Sequence, residues 1–228
     1  MALILNIDTA TGVCSVALAR EGRVVAMKEN DEGLNHSTLL GVYVDEVLRQ
    51  AGVTMAGVDA VAVSAGPGSY TGLRIGVSLA KGLCYGAGKP LIAVGTLESM
   101  ADAVADRVRE DALYCPMIDA RRMEVYAAVY DREGREVTGV RPVVLDESAF
   151  VDELSRGPVY FFGDGSGKAR GVLAHPNARF LSGVTTSAVN LMRLAERKFA
   201  AGEFEDVAYF EPFYLKEFVA TVPKRKLF

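Results

Sequence analysis

The sequence of 228 residues contains no tryptophan, only two histidines and three cysteines, and no strong excess of either charge. The cysteines, Cys14, Cys84 and Cys115, are widely spaced and form no Cys-x-x-Cys pair. Neither a disulfide framework nor a zinc site is therefore predicted, and a reducing, cytoplasmic environment is expected. The formal net charge is −4, whereas a chain that binds nucleic acid by itself is normally basic. Any contact with RNA is therefore expected to be indirect, through a partner.

Long apolar runs are also missing. No segment approaches 18 uninterrupted apolar residues, so neither a membrane span nor a membrane partner is predicted. The first residues, MALILNIDTATG, lack a basic region before the apolar run, and we expect them to form a buried strand rather than a signal peptide. Half of the residues are hydrophobic and 24% are charged, which is typical of a globular domain with a sizeable core.

The two histidines are too few for the common histidine-based sites. His36 stands at the start of a predicted helix and His175 precedes a proline, so both are interpreted as surface or capping residues. They cannot form a His-Glu-x-x-His motif. A metalloprotease is therefore not supported, and we predict neither a metal site nor a catalytic residue.

One pattern of strands and turns occurs twice. The stretch IDTATGVCSVALAREGRVV is matched by IDARRMEVYAAVYDREGREV, and the aligned Asp8 and Asp119 are 111 residues apart, about half the chain. An internal duplication explains this likeness, and chance similarity of two hairpins is the alternative. The first interpretation predicts an α/β protein with two similar lobes, residues 1–105 and 106–228, each a mixed sheet flanked by helices.

A helix predicted over 71–86 contains glycine at unusual density. Gly72, Gly76 and Ala80 follow at i, i+4 and i+8 and form a stripe of small residues on one face. Such a stripe lets a second backbone come close, and that backbone belongs either to a partner protein or to the same lobe. The helix predicted over 35–50 is apolar over a wide arc, which indicates either partner binding or burial between the lobes.

Four motifs extend these patterns to nearly the whole chain: NIDTAT, SAGPGSYTGLRIGVSLAKGL, KPLIAV and EPFYLKEFV. From residue 4 to about residue 219 the sequence resembles the TsaB (YeaZ) family of the actin-like ATPase superfamily. The resemblance implies two actin-like (ribonuclease H-like) lobes. It also implies a non-catalytic subunit that pairs with TsaD for transfer of threonylcarbamoyl to an adenosine of tRNA. TsaE would join this heterodimer in a ternary complex, and the chain would form a homodimer when alone.

The resemblance also implies where pairing takes place, because TsaB and TsaD are expected to meet through the first two helices of each subunit. The partner-interface residues predicted on this basis are Leu40, Val44, Val47, Gly72, Gly76, Ala80 and Arg74.

The metal-binding histidines expected from the resemblance to TsaD are replaced in this sequence. TsaD carries two metal-binding histidines one helical turn apart, and Thr96 and Met100 occupy those positions here. No metal site is predicted, since methionine and threonine are poor ligands for such an ion. A weak or vestigial nucleotide site is predicted from the superfamily at Asp8, Thr9, Asp119, Gly163 and Gly165.

The second hairpin turn, DARRME, argues against phosphate binding because it is bulky and cationic where small residues are preferred. No cofactor is therefore predicted, apart from a weak or interfacial adenine nucleotide. The alternative function is an independent actin-like ATPase or small-molecule kinase. The basic tail PKRKLF is interpreted either as solvated or as a contact for RNA or TsaE.

Overall fold

The computed structural model describes residues 2–33, 35–105, 107–108 and 110–216, and these residues form two five-stranded sheets with flanking helices. The strands of the first sheet are β1 (Leu3–Asp8), β2 (Cys14–Arg20), β3 (Arg23–Asn30), β4 (Ala60–Gly66) and β5 (Leu91–Gly95). Those of the second sheet are β6 (Leu113–Asp119), β7 (Glu124–Tyr130), β8 (Glu136–Val144), β9 (Val159–Phe162) and β10 (Ala178–Phe180). The helices are α1 (His36–Gln50), α2 (Tyr70–Ala87), α3 (Thr96–Ala105), α4 (Val151–Arg156), α5 (Ser166–Arg170) and α6 (Ala188–Ala201).

The two sheets share one topology, which confirms the predicted duplication. The first has the order β3-β2-β1-β4-β5 and the second the order β8-β7-β6-β9-β10. In both, the first three strands along the chain form an antiparallel meander, and the last two add in parallel on the other side of the first strand. The central strands β1 and β4 are almost continuously apolar because helices cover both of their faces.

The helices exchange between the two halves of the sequence. α1 and α2 pack together on one face of the first sheet, and their buried residues form one core cluster with β1, β2 and β4. The other face of that sheet is covered by α6, which comes from the second half of the sequence. α3 packs on the second sheet although it comes from the first half. The first sheet lies before the predicted boundary at 105/106 and the second after it, whereas α3 and α6 each pack on the sheet of the other half. The division into two domains at this point stays a prediction.

The ends of α2 follow the usual capping chemistry. The Ser69 hydroxyl accepts a hydrogen bond from the Gly72 amide at 3.3 Å at the start of the helix, and Gly88 ends it with φ +62°. None of the described helices combines the length and hydropathy that a bilayer-spanning segment requires.

After α6 the chain continues through residues 205–216 without a further helix and with one turn at 207–209, and we call this segment the C-terminal strap. It starts at the edge of the first sheet, where the Glu205 amide donates to the Leu91 carbonyl at 2.9 Å. It then follows the flank of α2, where the Lys81 ammonium donates to the carbonyls of Ala208 and Phe210 at 3.1 and 3.0 Å. The basic tail from residue 223 onward lies outside the described residues.

Candidate interaction face and interlobe cleft

Gly72 and Gly76 lie on the buried side of α2, against the turn after β1. A β-carbon at Gly72 would lie 2.1 Å from the Thr9 carbonyl oxygen, and one at Gly76 would lie 2.2 Å from the Thr9 hydroxyl. That hydroxyl donates to the Gly72 carbonyl at 2.8 Å. Both glycines are therefore required by close packing of the chain against itself.

This arrangement corrects the expected orientation of the glycine stripe. Gly72, Gly76 and Ala80 face the sheet of their own lobe and are buried. The α1 residues predicted for the interface, Leu40, Val44 and Val47, are at most 5% exposed and belong to the same core. The wide apolar arc of α1 thus serves mainly its own lobe, and a role of these six residues in partner binding stays a prediction.

Arg74 alone of the predicted interface set is exposed. Its guanidinium donates to the Tyr70 hydroxyl at 3.0 Å and lies 5.4 Å from the centre of the Tyr70 ring. The Tyr70 ring in turn packs against Tyr214 of the strap, with ring centres 4.7 Å apart. Arg74 therefore stands where α2 and the strap meet.

A second set of glycines on the two helices is exposed to solvent. No other part of the described chain comes within 4 Å of a β-carbon built at Gly41 of α1 or at Gly82 or Gly86 of α2. Beside them, Val42 is 50% exposed and Tyr85 is 87% exposed. We call this surface the outward face, and it comprises Gly41, Val42, Ser78, Gly82, Tyr85 and Gly86.

A cleft of about 610 Å³ separates the open ends of the two lobes. One wall is formed by the turn at 10–12 and the start of α2 at 68–71, and the other by the second hairpin at 118–124 with Asp164. Residues 214–216 of the strap close one side. The two duplicated hairpins thus face each other across the cleft.

Of the predicted nucleotide-site residues, Asp8 and Thr9 do not line this cleft. Both are at most 1% exposed, and Thr9 is engaged with α2. Asp8 accepts a hydrogen bond from the Ala10 amide at 2.9 Å through Oδ1, whereas its Oδ2 is buried without a hydrogen-bond partner among the described residues. Burial raises the pKa of Asp8 from 3.8 to about 6, and the hydrogen bonds from Ala10 and Ser64 partly oppose this rise.

Asp119 does line the cleft, but it is already engaged. Its carboxylate pairs with the Lys168 ammonium at 2.5 Å, and its amide donates to Asp164 at 2.9 Å. Burial raises the pKa of the Asp164 carboxyl. Asp119 and Asp164 therefore bind groups of their own lobe.

Gly163 and Gly165 are explained by contact with β6 and β7. A β-carbon at Gly163 would lie 2.3 Å from the Met117 carbonyl oxygen, and one at Gly165 would lie 2.8 Å from Val125. Neither glycine lines the cleft, whereas Asp164 between them does. A nucleotide role for the five predicted residues stays a prediction, and the geometry gives it little support.

The two histidines have different surroundings. His36 is 4% exposed, so its interpretation as a surface residue is wrong; its Nε2 lies 2.8 Å from the Thr11 carbonyl oxygen. It joins the start of α1 to the turn that lines the cleft. His175 is exposed, and its Nδ1 accepts from the Asn177 amide at 3.1 Å. Among the described residues, no three histidine, cysteine, aspartate or glutamate side chains are grouped closely enough to hold a metal ion.

Two duplicated lobes with exchanged helices and a cleft between facing hairpins define an actin-like fold. A family model described as TsaD, tRNA N6-adenosine threonylcarbamoyltransferase, matches residues 30–222. The TsaB protein of Escherichia coli, named for tRNA threonylcarbamoyladenosine biosynthesis, is 35% identical, and the match covers 95% of this chain and 96% of that protein. The chain belongs to the TsaB family.

Further relatives agree with this assignment. The Bacillus subtilis TsaB protein is 35% identical over 70% of each chain. The crystal structure of YeaZ from Pseudomonas aeruginosa superposes with a TM-score of 0.82 and 30% identity, covering 94% of this chain and all of that one. The family predicted from four short motifs is therefore confirmed.

Proposed function

We propose that this chain is a non-catalytic subunit of the cytoplasmic system that makes threonylcarbamoyladenosine on tRNA, and that it pairs with TsaD through the outward face of α1 and α2. Two relatives named for tRNA threonylcarbamoyladenosine biosynthesis, which match 95% and 70% of this chain, support the pathway. The open glycines of the outward face support the mode of pairing. TsaE is proposed to join the pair, and two copies of the chain are proposed to meet through the same face when TsaD is absent.

The outward face carries the pairing proposal because no neighbour in the described part of the chain requires glycine at its three glycine positions. Each glycine in a helix costs roughly 1 kcal/mol relative to alanine. At Gly82 and Gly86 no contact with the rest of the described chain offsets this cost. Without side chains at these positions, a partner helix can come closer than the usual separation of about 8–10 Å, which increases van der Waals contact. Tyr85 and Val42 beside them provide apolar area for such a partner.

The absence of catalysis is proposed from the positions that correspond to the metal ligands of TsaD. Thr96 and Met100 are 0% and 1% exposed, and both are buried at the start of α3. The Met100 side chain packs in the core on the second sheet. Neither side chain is suited to hold a hard cation. The transferase reaction is accordingly assigned to TsaD and not to this chain.

The alternative of an independent ATPase or kinase is not favoured by the cleft. Asp8 lies buried beneath the turn rather than at the cleft surface, and Arg121 and Arg122 occupy the second hairpin turn, both in the left-handed region at φ +69° and +48°. Their side chains stand where small residues would let backbone amides reach a phosphate.

The pairing proposal is tested by enlarging one outward glycine. Gly82→Leu should lower the affinity for TsaD at least tenfold, because the new side chain holds the partner helix away. Ala200→Leu is the matched control, since Ala200 is an exposed small residue on α6, away from the outward face. Both variants are first checked for a native circular dichroism spectrum and then titrated with TsaD by calorimetry. Wild-type affinity for Gly82→Leu would contradict the proposed interface.

The proposed division of labour is tested by the transfer assay on tRNA. TsaD with this chain, in the presence of the other pathway components, should form the modified nucleoside. The chain without TsaD should form none. Product formed by this chain in the absence of TsaD would disprove the non-catalytic role.

A further inference from the structure

The two lobes are firmly joined at their base. α6 packs on the first sheet and α3 on the second, and the two helices contact each other between the sheets. Arg193 of α6 donates to the Asp102 carboxylate of α3 at 2.9 Å. Neither of these helices lines the cleft, so a change in cleft width would take place away from them, between the hairpin turns.

At the cleft, the strap extends from one lobe to the other. It is attached to the first lobe by the Phe213 amide, which donates to the Ala65 carbonyl at 2.7 Å, and by the contact of Tyr214 with Tyr70. The ammonium of Lys216 then forms an ion pair with the Glu124 carboxylate on β7 of the second lobe. Tyr214, Leu215 and Lys216 all line the cleft.

We infer that the strap is a latch between the lobes and that its Lys216–Glu124 ion pair holds the cleft closed. The side chains of Lys216 and Glu124 are 44% and 22% exposed. An ion pair with this exposure is weak and is screened by salt, so the latch is reversible. The attachments to the first lobe are more extensive, so the strap stays on that lobe when the ion pair breaks. This inference does not depend on the proposed function.

A second ion pair on the same hairpin provides a matched control. Lys168 pairs with Asp119 at 2.5 Å, and both residues belong to the second lobe. Lys168 also donates to the main-chain carbonyl of Glu124 at 3.4 Å, whereas the Glu124 carboxylate pairs with Lys216. Loss of Lys168 thus removes a lysine–carboxylate contact of the same kind and leaves the ion pair with the strap in place. The two ion pairs therefore distinguish a latch from general stabilisation of the hairpin.

The latch is tested by measuring the distance between the lobes with pulsed electron paramagnetic resonance. Spin labels are attached at Thr71→Cys on the start of α2 and at Glu147→Cys beside the second hairpin, two exposed positions. The three native cysteines are buried and free, so the label should react with the introduced ones. The full chain is used, first with both ion pairs intact.

Lys216→Met should shift the distance distribution between the two labels to longer values and broaden it. In the chain with both ion pairs intact, 1 M salt should produce a similar shift, because salt screens the ion pair. Lys168→Met should leave the distribution in place. The exchanged pair Lys216→Glu with Glu124→Lys should restore the shorter distances. The inference would be overturned if the distance distribution were unchanged in Lys216→Met or if it shifted equally in Lys168→Met. It would also be overturned if the exchanged pair failed to restore the shorter distances.

Discussion

The two sets of glycines in α2 respond differently to the same substitution. Replacing glycine by alanine inside a helix normally stabilises it by up to about 1 kcal/mol. Gly82→Ala should show this gain, because the position is open. At Gly76 the new methyl group would lie 2.2 Å from the Thr9 hydroxyl, a distance at which the packing must shift. Overpacking of a core costs typically about 1–3 kcal/mol, and the gain in helix propensity offsets about 1 kcal/mol of this, so Gly76→Ala should lower the free energy of unfolding by up to about 2 kcal/mol overall.

Urea and thermal unfolding, followed by circular dichroism, measure this difference. For a chain of this size 1 kcal/mol corresponds to roughly 2–4 °C in Tm, so the two variants should differ by several degrees in opposite directions from the wild type. Thr9→Ala removes the hydroxyl that causes the clash and should be less harmful in the Gly76→Ala background than alone, with a coupling of about 0.5–3 kcal/mol. A Gly76→Ala protein at least as stable as the wild type would refute the reasoning.

Two further predictions concern buried titratable groups. The folded chain keeps the proton of Asp8 up to about pH 6, whereas the unfolded chain loses it near pH 3.8. The free energy of unfolding should therefore be highest below pH 4 and should fall as the pH rises through 6. The free energy of unfolding, measured with urea, should fall by up to about 3 kcal/mol between pH 4 and 7, and Asp8→Asn should remove this fall. The same fall in the Asp8→Asn variant would contradict the prediction. Cys14, Cys84 and Cys115 are all buried, and burial raises the pKa of each thiol. A disulfide reagent should therefore react with no thiol in native protein and with three in guanidinium chloride; rapid reaction of native protein would contradict the burial.

Much of the fold could be predicted from local patterns. The matched hairpin sequences around Asp8 and Asp119 indicated the duplication, because two similar strand–turn–strand patterns at half-chain spacing favour two similar folding units. The two helices of the first lobe were predicted over 35–50 and 71–86 from the spacing of apolar and small residues, and they are observed at His36–Gln50 and Tyr70–Ala87. These signals are local, and the structure agrees with them closely.

The exchange of α3 and α6 could not be predicted in this way. Both helices are amphipathic, and the sequence pattern shows which residues of a helix are apolar without showing which sheet covers them. The path of the strap was missed for a similar reason. It has no regular secondary structure of its own, and it is held by single contacts such as those of Lys81 with two carbonyls far along the chain.

The candidate site shows the same limit most clearly. Small residues occur on both sides of α2, and spacing alone does not tell which side faces the sheet. Gly72 and Gly76 were expected to face a partner, yet they accommodate Thr9, whereas Gly82 and Gly86 have open space beside them. His36 was likewise expected at the surface, because nothing in the sequence indicates that a turn 25 residues earlier packs on it.

The composition of α2 then bears directly on function. Its four glycines together cost this helix about 4 kcal/mol of propensity relative to alanine. For the inner two, close packing on Thr9 and its hydrogen bond to the Gly72 carbonyl offset the cost inside the lobe. For Gly82 and Gly86 the described chain contains no such contact, so the loss of helix propensity at these two positions destabilises α2 in the free subunit. A bound helix that packs on Gly82 and Gly86 would offset it, so the free energy that the isolated chain lacks is expected to come from assembly.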